Sequence, residues 1–159
     1  MDNFAVYKTK IGYFKIGYCG NYIISLGITE NKDNNFGNPS KLTDKLAVQL
    51  DEYFNGKRKK FDVPIFPQGS SFQKKVWEQL RLIDYGDTAS YKDIAIRIGN
   101  PKACRAVGMA NNKNPIMIII PCHRVIGTNG NLTGYAGGLQ LKKYLLDLEN
   151  QYKNEDSYG

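Results

Sequence analysis

The hydrophobic pattern of this chain changes period once, at Pro67-Gln68-Gly69-Ser70. Upstream, short runs rich in β-branched and aromatic residues are broken by turn-forming pairs. Downstream, apolar residues recur at helical spacing. A two-residue period belongs to strands and a 3.6-residue period to helices, so a sheet-bearing first part is followed by a mainly helical second part. At 159 residues the chain has room for about one ordinary domain or two small halves. The expected division is 1–66, 67–152 and a short tail, 153–159.

In the first part, Phe4–Lys8, Tyr13–Tyr18 and Tyr22–Ile28 read as three antiparallel strands joined at Lys10-Ile11-Gly12 and Gly20-Asn21. A helix is expected from Ser40 to Asn55, with Leu42, Leu46, Leu50 and Phe54 as its buried stripe. Gly56–Lys60 is a basic turn, read as a solvated loop or a phosphate contact, and Phe61–Phe66 reads as a short strand.

In the second part, Ser71 is the expected cap of a helix that buries Phe72, Val76, Leu80 and Ile83, with Trp77 beside them, and ends at Tyr85-Gly86-Asp87. Ser90 and Asp93 form a capping-box-like start to a helix that buries Ile94, Ala95 and Ile98 and stops at Gly99. Asn100-Pro101 reads as the start of the next helix, 101–110, with Ala103, Ala106, Val107 and Ala110 on one face. Two short helices around a glycine turn make a candidate helix-turn-helix. The small residues of the second helix suit either a nucleic-acid groove or close helix packing. Ile116–Ile120 is an apolar run between two prolines, read as a buried strand or extended segment that delivers Pro121-Cys122-His123-Arg124. A final helix, 139–152, is expected to bury Leu141, Leu145, Leu148 and Tyr152.

The net charge is +7, and residues 69–137 carry nine basic against four acidic side chains. That field suits polyanions, nucleic acid first, or simply a soluble surface. No run approaches the ~20 apolar residues of a membrane span. The N-terminus lacks a signal peptide's basic and apolar regions, so no membrane partner and a cytoplasmic location (nuclear in a eukaryote) are expected. One histidine and three scattered cysteines supply neither a disulfide framework nor four tetrahedral zinc ligands; no metal is expected.

Cys19 and Cys104 read as small hydrophobes. Cys122 stands apart, because it ends an apolar run, adjoins the only histidine and lies near the cation of Arg124. Cationic or hydrogen-bonding neighbours favour a thiolate, the nucleophilic form. Adjacent residues of a regular strand face opposite ways, so His123 would reach Cys122 only through a turn or a water. A third group must orient the histidine; Glu149 and Asp147 on the last helix are both candidates.

Pro121-Cys122-His123-Arg124-Val125, with Phe72-Gln73, Trp77, Ser90-Tyr91, Arg105-Ala106-Val107-Gly108, Asn114-Pro115, Tyr135-Ala136-Gly137-Gly138 and Glu149 at matching distances, resembles the methylated-DNA–protein-cysteine methyltransferases. The resemblance is strong over about 70–150 and loose over the first 66 residues. It implies an α/β fold, with a small antiparallel sheet plus helix first and a mainly helical DNA-binding domain second. It further implies that Cys122 accepts an alkyl group from 6-O-alkylguanine flipped out of duplex DNA, once per molecule and without a cofactor. His123, through a water and oriented by Glu149, would deprotonate Cys122, and Tyr91 would help rotate the nucleotide and protonate the leaving purine. Arg105 would fill the gap in the base stack, with Ala106, Gly108 and Lys113 also at the DNA. Asn114, Val125, Tyr135, Ala136 and Gly137 would shape the base pocket. The implied partner is lesion-bearing duplex DNA, with 4-O-alkylthymine as a second substrate and the protein a monomer. A lesion-binding protein without repair activity is the alternative, and a cysteine hydrolase a further rival. Two departures stand out: Met117 replaces a usual second proline, and Ala136 replaces a frequent serine.

Overall fold

The computed structural model describes residues 2–130, 132, 135 and 137–155. It divides into two compact units, one running to Gln68 and the other spanning Gly69–Asn154.

In the first unit, β1 (Asp2–Thr9), β2 (Gly12–Cys19) and β3 (Tyr22–Thr29) form an antiparallel meander in the order β1-β2-β3. Both connections are two-residue turns, Lys10-Ile11 and Gly20-Asn21; Gly12 opens β2 rather than lying in the turn. Ala5 pairs with Ile16 and Ile16 with Leu26, which places these buried residues on one sheet face. The β2–β3 register shifts at Gly17/Tyr18. A side chain at Gly17 would put its Cβ 2.1 Å from Ser25 Oγ, so the bulge needs glycine there. Helix α1 (Lys41–Phe54) starts at Ser40 through a reciprocal cap with Thr43. Its buried face is Thr43, Leu46, Leu50, Tyr53 and Phe54, with the Phe54 ring 5.6 Å from that of Phe14. Leu42, expected in this stripe, is only half-buried because Thr43 faces the sheet instead. The strand expected at Phe61–Phe66 is absent. One parallel bridge joins Ile65 to Ile23, and Pro64 lacks the N–H that would extend the ladder.

In the second unit, helix α2 (Ser71–Leu80) is capped by Ser70, not Ser71, because Gln73 completes the box three residues after Ser70. The helix ends at Leu80. Tighter three-residue bonds, Leu82 N–H to Gln79 O and Ile83 N–H to Leu80 O, carry the chain away. Ile83 is therefore buried outside the helix, and Tyr85-Gly86-Asp87 belongs to a separate turn. Phe72 is half-buried.

A two-residue strand, β4 (Ala89–Ser90), leads into α3 (Tyr91–Arg97), whose Ser90–Asp93 capping box is as expected. Ile94 and Ala95 are buried and Ile98 half-buried. Gly99 adopts φ +81° and ends the helix. The next helix does not restart at Pro101. Asn100–Ala103 closes a turn (Ala103 N–H to Asn100 O, 3.0 Å), and α4 runs from Cys104 to Asn112. Pro101 occupies the second position of that turn, which its fixed φ suits. The buried face of α4 is Val107, Ala110 and Asn111, while Ala106 is exposed. The Trp77 indole donates to Ala110 O at 2.9 Å and ties α4 to α2.

A 3₁₀ turn, Cys122–Arg124, is followed by β5 (Val125–Ile126), which pairs in parallel with β4. Helix α5 (Leu139–Tyr152) closes the unit. It buries Lys142, Leu145, Leu148 and Glu149; Leu141 and Tyr152, expected inside, are half-buried.

Candidate active site around Cys122

The run Ile116–Ile120 is buried throughout, yet it is a turn and not a strand. Ile118 has φ +73°, and Ile119 N–H bonds back to Met117 O at 2.8 Å. A β-branched residue with positive φ is a backbone outlier. The turn is held from the end of α4, where the Asn114 amide donates to Ile120 O at 2.7 Å and accepts from Ile116 N–H at 3.0 Å. The Asn111 amide, also from α4, donates to Cys122 O at 3.3 Å. Asn111 in α4 and Asn114 just beyond its end thus fix the backbone on either side of Pro121.

From this support Cys122–Arg124 form a 3₁₀ turn rather than a strand. Cys122 is 4% exposed and His123 is fully buried. His123 Nε2 lies 2.7 Å from Glu149 Oε2. Arg124 grips the same carboxylate with two bonds, 2.8 and 3.0 Å, and donates a third to Ile83 O at 2.7 Å. Glu149 also accepts the Gly86 N–H. The early end of α2 is what brings Ile83 O here. Asp147, the other candidate, is exposed and paired with Lys143.

Burial works to raise the Glu149 carboxyl, but His123 and Arg124 outweigh it and hold it well below the usual carboxylate range. Burial holds His123 below its ordinary value, with Glu149 acting in the opposite sense. With Nε2 on Glu149, buried Nδ1 has no partner among the protein atoms described. Burial pushes the Cys122 thiol up; Asn114, Lys142 and Tyr135 act in the opposite sense. Tyr135, whose phenol lies beside the thiol, is raised by burial and by the neighbouring sulfur.

Val125 and Tyr135 are buried around this centre, and Gly137 is half-buried. A Cβ at Gly137 would meet Leu141, Met117 Cε and the Tyr135 ring at 2.8, 3.1 and 3.2 Å, so the wall there leaves no room for a side chain. Met117 is thus part of that wall. Ala136 lies outside the described residues.

Tyr91 opens α3 and is half-buried. A Cβ on Gly108 would lie 3.8 Å from its ring, so the ring and α4 are in close approach. Arg105, Ala106, Met109, Asn112 and Lys113 form the exposed stripe of α4 and its end. Beside it lies a depression of about 440 Å³ bordered by Tyr91, Lys92, Cys104, Arg105, Gly108 and Asn112. Among the described residues, no group of three His, Cys, Asp or Glu side chains is placed to hold a metal, and no helix is long and apolar enough to cross a membrane.

Sequence reasoning overlooked Asn111 and Lys142. Lys142 is fully buried, with Nζ 5.9 Å from the ring centres of Tyr91 and of Tyr135. Its signal was the spacing 142, 145, 149, one helix face that ends on Glu149; the leucines at 141, 145 and 148 drew the stripe one residue aside.

Known proteins share this organisation. The pattern of the 6-O-methylguanine DNA methyltransferase DNA-binding domain matches residues 71–151, and that of the ribonuclease-like domain of the same proteins matches 4–67. A methylated-DNA–protein-cysteine methyltransferase of Methanosarcina acetivorans is 62% identical over 105 residues, 66% of this chain and 67% of the relative. The inducible enzyme of Bacillus subtilis is 53% identical over 115 residues, 70% of this chain and 64% of the relative. The matched segments thus span about two thirds of those relatives' length. The crystal structure of the Mycobacterium tuberculosis O6-methylguanine methyltransferase superimposes with a TM-score of 0.86 at 39% identity, covering 98% of this chain and 97% of that one. The same organism's protein in complex with DNA gives 0.85 at 40% identity, covering 98% and 95%. The chain belongs to the methylated-DNA–protein-cysteine methyltransferase family.

Proposed function

We propose that this protein repairs alkylated DNA by direct reversal, moving the alkyl group of 6-O-alkylguanine in a duplex onto its own Cys122. The observation that carries the reading is a buried cysteine at the end of a rigid turn, next in sequence to a buried histidine locked onto a buried carboxylate. The Cys122 carbonyl is held by Asn111 of α4, the helix whose outer stripe bears Arg105.

A base inside a duplex cannot reach a buried sulfur, so the target nucleotide rotates out of the stack. Arg105, exposed on α4, occupies the gap, and Ala106 and Gly108 let the helix approach a groove. α3 and α4 act as a helix-turn-helix, with Lys113 at a phosphate. Val125, Tyr135 and the Gly137 wall receive the base, and the alkyl carbon faces Cys122.

His123 Nδ1, the nitrogen left over by Glu149, takes the thiol proton through a water. The thiolate attacks the alkyl carbon, and a sulfur–carbon bond forms as the carbon–oxygen bond breaks. The electron pair leaves with the purine, which takes a proton from the Tyr91 phenol. The product thioether is stable, and no described neighbour is arranged to hydrolyse it, so each molecule acts once. The same displacement suits 4-O-alkylthymine, and the protein is read as acting as a monomer.

Recovery of normal guanine separates repair from lesion binding. A duplex with one 6-O-methylguanine, incubated with the protein and digested to nucleosides, should regain guanine up to one equivalent per protein molecule. Cys122→Ala should regain none while still retaining the duplex. Guanine recovery by Cys122→Ala, or none by the unaltered protein, overturns the reading.

A further inference from the structure

Met109 is 65% exposed at the middle of the α4 face that the repair reading seats on DNA. Scattered apolar side chains on a surface are ordinary, so its position carries the argument. Successive helical residues turn by about 100°, which sets Met109 about 40° from Arg105 and about 40° from Lys113, one on each side. The buried residues of α4, Val107, Ala110 and Asn111, lie on the opposite side. Ala106, Gly108 and Ala110 surround Met109 in sequence, so a long unbranched side chain stands over a floor of small residues.

The other large side chains of this face, Arg105, Asn112 and Lys113, are exposed and polar. A helix face turned only to water gains nothing from a methionine at its centre. A partner with anions at its rims and apolar surface between them accounts for both the flanking cations and the thioether. Duplex DNA is such a partner: phosphates border the minor groove, and deoxyribose and base edges line it. Apolar side chains, Met among them, are used in that groove by proteins that bend or open the duplex. A helical turn rises about 5.4 Å and bases stack about 3.4 Å apart, so Met109 meets the duplex within two base steps of Arg105. Tyr91, Gly108 and the depression they border lie on the other flank of Arg105. Met109 is therefore placed for the nucleotides that stay stacked.

We propose that Met109 is the apolar anchor of α4 in the groove, packed on deoxyribose and base edges between the contacts of Arg105 and Lys113. It acts in binding and not in the transfer step. The proposal rests on the docking of α4 to DNA in the repair reading, and not on the chemistry at Cys122.

The test is the affinity for a labelled duplex with one 6-O-methylguanine, read by fluorescence anisotropy over a salt series. The Cys122→Ala protein is the reference, so that no transfer intervenes. Adding Met109→Ala should weaken binding about tenfold, the scale of two buried methylene-sized groups. The slope of log affinity against log salt should not change, because an apolar contact releases no counterions. Met109→Gln, similar in length but polar, should weaken binding as well, and Met109→Leu should stay within about twofold of the reference. Lys113→Ala should instead flatten the slope by about one. Urea unfolding followed by Trp77 confirms that each variant is folded. Undiminished binding by Met109→Ala or Met109→Gln, or a flattened slope in Met109→Ala, overturns the proposal. With Cys122 intact, Met109→Ala should transfer methyl at the unaltered rate once duplex saturates it; a slower saturated rate at unchanged affinity also overturns the anchor role. Absence of transfer by the unaltered protein, with the Met109→Ala weakening intact, overturns the repair reading and not the anchor.

Discussion

Glu149→Ala is expected to lose roughly 3–5 kcal/mol of stability, the cost of breaking a buried ion pair from one side. The carboxylate is 1% exposed and serves three donors, His123, Arg124 and the Gly86 amide. Its removal strands a guanidinium beside Ile83 O with nothing to neutralise it. Against a total of ~5–15 kcal/mol for an ordinary domain, such a loss puts the variant near unfolding. Urea denaturation followed by Trp77, the only tryptophan and buried against α4, measures this directly. Glu149→Gln keeps the shape and should lose less. The pH sign follows from the depressed carboxyl: its stabilisation is complete above the unfolded carboxylate value and fades as pH falls through the lower folded value. Glu149→Ala should therefore differ most from the unaltered protein at neutral pH and converge with it in acid. A variant that unfolds with the unaltered protein would mean that the cluster is not paired as described.

Tyr91→Phe is expected to slow methyl transfer about 100-fold, the lower range for loss of a general acid, with the affinity for lesion duplex kept. The substitution retains the ring that Gly108 approaches and that faces Lys142. It removes only the phenolic proton that the leaving purine takes. Single-turnover kinetics at saturating duplex separates the chemical step from binding. Lost affinity at an unchanged transfer rate would assign Tyr91 to nucleotide rotation alone.

Much of this architecture was legible because local signals agreed with the tertiary fold. Ser40 and Ser90 with their partners three residues on, the paired turns of the meander and the change of period near Gly69 all had the same meaning alone and in the structure. Errors arose where two signals competed. Ser70 and Ser71 are both good caps, and only the position of Gln73 decides between them. Asn100-Pro101 suits a helix start and a turn alike, and the turn wins because α4 must begin later to place its buried face on Trp77. The run Ile116–Ile120 has the composition of a strand, yet among the described residues it forms only isolated bridges, and Asn114 folds it into a turn. Within the site, adjacency and the motif pointed to Cys122, His123 and Glu149. Lys142 escaped notice because a lysine on a helix is ordinarily solvated, and only the burial of the 142–145–149 face distinguishes it. Without the resemblance, the choice of Glu149 over Asp147 likewise needed the helix phase fixed by Leu145.

Intact-protein mass after incubation with a 6-O-methylguanine duplex tests the central claim most directly. A displacement onto sulfur predicts one gain of about one methylene (~14 Da) per molecule, no second gain with excess duplex, and localisation to the Asn114–Arg124 tryptic peptide. An unchanged mass with guanine restored, or a gain on Cys19 or Cys104, would contradict transfer to Cys122.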